Sequence, residues 1–139
     1  MAFWGEVAAL AGLSPEEIIR QGMALSTTGE FYRANPGLID RSVVIRMGKL
    51  QPLHAFTRQS NAAMTFESNH RAHLIRQPTQ ILAGARDRVM PPVLTEELAK
   101  KIPQAQFKIF PNAAHLLFLE KADAVNRVLS DFLCGRKVE

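Results

Sequence analysis

The sequence predicts an α/β protein in which a helical first half precedes a β-α-β-α unit with two parallel strands. Apolar residues recur at helical spacing as far as about residue 76, with no run that reads as a strand. After Pro78 the pattern changes, and two short apolar segments appear, Gln80–Gly84 and Gln106–Phe110. A helical pattern follows each, and strand-helix-strand order favours parallel strands joined by a right-handed crossover. These observations divide the chain into residues 1–76 and 77–139, with no internal repeat or low-complexity linker.

In chain order, Phe3, Trp4, Val7, Ala8, Leu10 and Ala11 suit a first helix, and Gly12 stands where a C-terminal glycine cap belongs. Ser14-Pro15-Glu16-Glu17 then starts a second helix. Serine caps it, proline takes its first position, and Glu17 closes a capping box, so that Ile18, Ile19 and Met23 face the core. Asn35-Pro36 opens a third helix carrying Leu38, Ile39, Val43 and Val44 and ended by Gly48. Leu50, Leu53 and Phe56 mark a fourth, reaching to about Met64.

Gln80–Gly84 follows an X-Pro break and ends in glycine, as a buried strand does. Pro91-Pro92 opens a helix with Val93, Leu94, Leu98 and Ile102 on one side and the pairs Glu96-Lys100 and Glu97-Lys101 on the other. Gln106–Phe110 alternates as a second strand. Ala122–Leu133 gives a last helix with Val125, Val128, Leu129 and Phe132 inward.

At 139 residues and 47% hydrophobic content, the chain can bury one ordinary core, which argues against disorder. The net charge of +4 comes from scattered residues such as Arg20, Arg58, Lys100 and Arg127, with no block that would mark a nucleic-acid partner. Cys134 is the only cysteine. It excludes an internal disulfide, fits a reducing compartment, and at the end of an apolar helical pattern reads as a buried or half-buried thiol. The first residues lack a basic segment followed by an apolar one, and no run approaches the ~18 apolar residues of a membrane span. The expectation is a soluble, cytoplasmic protein.

Asp87 lies just past the first strand and His115 just past the second. With parallel strands, both fall at the carboxyl edge of the sheet, where open α/β sheets collect their ligand and catalytic groups. An aspartate there can accept a hydrogen bond from one imidazole nitrogen, fix the tautomer, and stabilise the imidazolium formed when the other nitrogen takes a proton. Taken singly, each has an ordinary reading, Asp87 as a turn former and His115 as a surface loop residue. The order of the pair on successive strand ends favours the acid-base reading.

Other candidates carry less. His70 and His73 share a helical spacing, but no carboxylate or cysteine completes a metal set. His54 reads as a packed or rim residue, and Trp4, Phe31, Tyr32 and Met64 could line a pocket but sit where core residues ordinarily do. No phosphate loop or cofactor fingerprint is present, so no cofactor and no metal is expected.

The stretch from Gln77-Pro-Thr-Gln-Ile-Leu-Ala-Gly-Ala-Arg-Asp87 through Phe110-Pro-Asn-Ala-Ala-His115 and Glu120-Lys-Ala-Asp-Ala-Val-Asn126 to Phe132-Leu133 resembles the C-terminal third of the α/β-hydrolase superfamily. Within it, the chain is similar to carboxylic-ester hydrolases and enol-lactonases. The resemblance implies a partial α/β-hydrolase fold. Residues 1–76 correspond to the family's helical cap, 77–139 to the C-terminal part of its core, Asp87 to the acid and His115 to the general base.

One member of the triad is missing. A nucleophile elbow needs Gly-x-Ser-x-Gly, and none of Ser14, Ser26, Ser42, Ser60, Ser68 or Ser130 is flanked in that way. The resemblance therefore implies a C-terminal hydrolase fragment, inactive on an ester or lactone unless an N-terminal hydrolase half complements it. The alternative is a non-catalytic, self-associating protein or hydrolase remnant. Two parallel strands leave an unpaired edge and apolar faces, which favours a homo-oligomer. No nucleic-acid or membrane partner is expected.

Overall fold

The computed structural model describes residues 12–135, which contain two parallel strands and a series of mostly short helices. Contacts divide these residues into two units, one of residues 12–25 and 29–67 and one of residues 26–28 and 68–135.

The first unit is helical: α1 (Pro15–Ser26), α2 (Gly29–Ala34), α3 (Pro36–Met47) and α4 (Leu53–Thr65). The capping box at α1 forms in both directions. The Ser14 N–H donates to Glu17 Oε2 at 2.7 Å, and the Glu17 N–H donates to Ser14 Oγ at 3.3 Å. Asn35 is the N-cap of α3 without a side-chain cap bond: its side-chain amide donates to the Phe31 carbonyl at 2.9 Å, while its own carbonyl accepts from Leu38 and Ile39. One residue thus ends α2 and starts α3. Gly48 caps α3 with φ −68, a conformation any residue adopts.

Burial in this unit is selective. Met23, Ile39, Val43 and Ser60 are buried, Ile18 and Ile19 are half-buried, and Val44, expected inward, is 71% exposed. Ile39 and Val43 stand four residues apart on one stripe of α3, which turns the next position out. Gly12 has φ +69, as expected of a glycine cap. The helix expected over Phe3–Ala11, with Trp4, lies outside the described residues.

The second unit carries the sheet. A 3₁₀ helix (Asn69–Leu74) leads to β1 (Thr79–Gly84), α5 (Pro92–Lys101), β2 (Ala105–Phe110), the single turn α6 (Leu117–Glu120) and α7 (Ala122–Leu133). The strands pair in parallel, with register running from Thr79↔Ala105 to Gly84↔Phe110. Parallel pairing brings both carboxyl ends to one edge. Phe110, Ala113, Leu117, Val125 and Val128 form the core cluster, with Leu82 packed against it. Burying a Val, Leu or Phe side chain is worth roughly 1.5–3 kcal/mol, and the Ala113 methyl less.

Several expectations need correction. Of α5's supposed apolar side, only Ile102 is buried; Val93, Leu94 and Leu98 are 56%, 50% and 39% exposed. The inward stripe is Pro92, Thr95, Ala99 and Ile102, spaced by three, four and three, mostly small residues facing the strands and the 3₁₀ helix. Lys100 pairs with Glu96 at 2.8 Å as expected, whereas Lys101 donates to Asn69 Oδ1 at 2.9 Å. In β1 only Ala83 and Gly84 are buried, because the two-stranded sheet covers little of the rest. Leu129 is exposed and Phe132 half-buried on α7. Cys134 is exposed, since it follows the last residue of α7 where the chain turns into Gly135 at φ +68. Among the described residues, no helix is long and apolar enough to cross a membrane.

Candidate active site

β1 ends at Gly84, and the chain turns sharply there. The Ala85 N–H donates to the Phe110 carbonyl, the Arg86 N–H to the Ala113 carbonyl, both at 2.9 Å, and the Asp87 N–H to the Gly84 carbonyl at 3.1 Å. The first two bonds continue strand pairing into the loops, so the two loops form one hydrogen-bonded sheet edge. Gly84 makes this possible. A Cβ there would lie 2.5 Å from the Ala113 carbonyl oxygen and nearer still to that of Ala114. The loop leading to His115 runs through the space a side chain would fill.

Asp87 is fixed by its own loop. Its Oδ1 accepts from the N–H groups of Val89 and Met90, both at 2.8 Å, which closes a local turn and aims the other oxygen outward. That oxygen, Oδ2, lies 2.9 Å from His115 Nδ1. The aspartate side chain is 8% exposed and that of the histidine 36%. An ionised carboxylate only accepts, so Nδ1 must carry the proton, which leaves the Nε2 lone pair of the neutral ring as a base. The two residues singled out in the sequence are brought together within one unit.

The His115 loop is anchored on both sides. Before it, the Ala114 N–H donates to Glu120 Oε1 at 2.9 Å; after it, the Leu116 N–H donates to the Ser26 carbonyl at 2.8 Å. Glu120 Oε2 also accepts from the Thr28 hydroxyl at 2.7 Å and the Thr28 N–H at 3.2 Å. Neither Glu120 nor Thr28 was singled out in the sequence. Their 92-residue separation leaves no local pattern to read.

The remaining described candidates lie on other elements. His70 and His73 are exposed on the 3₁₀ helix, and among the described residues no three His, Cys, Asp or Glu side chains gather as a metal set. His54 is exposed on α4, Phe31 and Tyr32 are half-buried, and Met64, read as a core position, is 76% exposed. All six serines sit on helices or immediately beside them, and none occupies a strand-to-helix turn.

Comparison with known proteins bears on the fold. The sequence profile of the alpha/beta hydrolase fold matches residues 11–122. The chain is 31% identical over 122 residues to a poly(3-hydroxyalkanoate) depolymerase of Ectopseudomonas oleovorans, a match covering 87% of this chain and 41% of the relative. It is 24% identical over 123 residues to a pimeloyl-[acyl-carrier protein] methyl ester esterase of Aromatoleum aromaticum, covering 87% of this chain and 48% of that protein. The crystal structure of the enol-lactonase from Burkholderia xenovorans LB400 superimposes with a TM-score of 0.78 at 20% identity, over 94% of this chain and 50% of that one. The chain thus spans about half the length, or less, of the relatives it matches. On the extent of the profile match, together with the parallel strand pair, the chain belongs to the alpha/beta hydrolase fold family.

Proposed function

We propose that this chain supplies the acid and the base of a Ser-Asp-His hydrolase, with the nucleophile and its oxyanion hole contributed by residues outside these 139. On this reading residues 1–76 are the helical cap and 77–139 the C-terminal part of the core, and the lone Cys134 fits a cytoplasmic setting. The observation that carries the proposal is the 2.9 Å contact between Asp87 Oδ2 and His115 Nδ1, with Oδ1 occupied by two backbone donors. His115 Nε2 takes the proton of an attacking serine, Asp87 stabilises the imidazolium, and the same proton passes to the leaving alkoxide. An ester or lactone is the substrate class, in keeping with a methyl ester esterase and an enol-lactonase among the similar proteins.

Without a nucleophile the pair has little power. General-base action on water contributes roughly 10² to 10⁴, and each missing oxyanion donor costs about 10² to 10³. The test measures small aryl ester hydrolysis by the purified chain and by the chain combined with an N-terminal hydrolase half bearing the Gly-x-Ser-x-Gly elbow. The expected result is negligible turnover alone and turnover in the combination that is lost with His115→Ala. Equal turnover by the combined His115→Ala variant would overturn the proposal.

A second reading, a self-associating protein without catalysis, is favoured by the exposed Val93, Leu94 and Leu98 on α5. Light scattering at micromolar concentration decides it: a mass above that of one chain is expected, and a monomer rules it out.

A further inference from the structure

Glu120 is placed to do more than end a helical turn. Its two carboxylate oxygens accept three hydrogen bonds, from the Ala114 N–H at 2.9 Å, the Thr28 hydroxyl at 2.7 Å and the Thr28 N–H at 3.2 Å. Ala114 is fully buried and Thr28 is 8% exposed, so this one side chain accepts from two backbone donors with little access to water. Such bonds to an ionised acceptor are the stronger class, and a buried donor left without a partner is costly. The residue after Ala114 is His115, and the residue after that bonds to Ser26. Residues 26–28 thus grip the His115 loop on both sides, through Ser26 directly and through Glu120.

We propose that Glu120 is a positioning residue for the base: by tying Thr28 to Ala114 it holds the His115 imidazole at hydrogen-bonding distance from Asp87 Oδ2. This rests on the reading of His115 as the base of a hydrolase. Glu120 acts through the backbone and touches no reacting atom. Its loss frees the Ala114 N–H while Ala113 stays tied to Arg86 and Leu116 to Ser26, so the residue next to His115 loses its hold and the contact of Nδ1 with Asp87 loosens.

The test is nuclear magnetic resonance of the His115 ring in the full chain and in three variants, Glu120→Ala, Glu120→Gln and Thr28→Val. In the unsubstituted protein, a ring Nδ1–H signal shifted downfield and slow to exchange with solvent is expected; its absence refutes the Asp87–His115 pair and, with it, the parent reading. Given that signal, Glu120→Ala should speed exchange of the Nδ1–H about tenfold or more, the loss expected of a charge-assisted bond. Glu120→Gln should restore part of the protection, because one amide oxygen can still accept from Ala114. Thr28→Val removes the hydroxyl donor to Glu120 while leaving the Ala114 bond, and should give a smaller effect in the same direction. Circular dichroism checks that each variant is folded. If Glu120→Ala fails to fold, the other two decide. Folded variants in which the Ala114 and Thr28 amides exchange faster while the His115 Nδ1–H does not would overturn the proposal and leave Glu120 a merely structural residue.

Discussion

Replacing Gly84 with alanine puts a methyl group where the His115 loop already runs. Its Cβ would meet the Ala113 carbonyl oxygen at 2.5 Å and the Ala113 carbonyl carbon at 2.8 Å. Ordinary van der Waals separation is roughly 3.5 Å, so about 1 Å of displacement is needed. The obstructing atoms are backbone, and they are not free to give way. Ala113 and Ala114 are fully buried, the Ala113 carbonyl accepts from Arg86, and the Ala114 N–H is held by Glu120. Overpacking a site of this kind costs about 1–3 kcal/mol. Displacing the loop by that much also stretches the 2.9 Å Asp87–His115 contact beyond hydrogen-bond length. Urea unfolding and the His115 Nδ1–H resonance report the two effects separately. Gly22→Ala, on α1 with nothing near the added carbon, is the control and should raise stability by about 0.5–1 kcal/mol. A Gly84→Ala protein as stable as the starting one, with its ring proton unchanged, would show that the loop has room for the methyl group.

Three further outcomes are expected. In Asp87→Asn, the amide oxygen keeps the Val89 and Met90 bonds and the NH₂ then faces His115, which moves the ring proton to Nε2; nitrogen NMR reads the tautomer, and the complemented enzyme should lose about 10⁴ in kcat. Leu117→Ala, in the core cluster, should cost about 2–5 kcal/mol in a denaturant titration, whereas Leu133→Ala, 81% exposed, should stay within about 0.5 kcal/mol. The Ser14 hydroxyl, and then the Ser14 N–H, hold the Glu17 carboxyl below its ordinary value. A lowered carboxyl stabilises the fold above the unfolded-state value and loses that contribution as pH falls through the folded-state value. The gap between the unfolding midpoints of the protein and of Ser14→Ala should therefore narrow in acid to the part carried by the Glu17 N–H to Ser14 Oγ bond; a gap that does not narrow there contradicts the role of the Glu17 carboxylate.

Strand order and parallel pairing were legible because punctuation at Pro78, Gly84 and Pro91-Pro92 and the apolar runs are local signals. So was the meeting of Asp87 and His115, since parallel strands carry the residues that follow them to one edge. The inward stripe of α5 was not. Pro92, Thr95 and Ala99 are small or polar and do not stand out on a hydrophobic pattern, yet their size lets a helix approach a sheet, and the larger Val93, Leu94 and Leu98 face outward. Lys101 had two partners within reach, and local spacing pointed to Glu97 rather than to Asn69 in a distant segment. Glu120 and Thr28 illustrate the same limit. Their bond joins residues 92 apart, and only the folded chain brings them together.

On the proposed reading, Asp87 and His115 form an acid-base pair that activates a serine supplied from outside these residues. Labelling with a fluorophosphonate probe tests it most directly, because the probe reacts only with a serine whose proton has a base to receive it. The chain is treated alone and with an N-terminal hydrolase half that carries the Gly-x-Ser-x-Gly elbow, each also with His115→Ala. Label is expected on the added polypeptide in the mixture only, abolished by His115→Ala. A mixture that stays unlabelled, or one whose labelling survives His115→Ala, would contradict it.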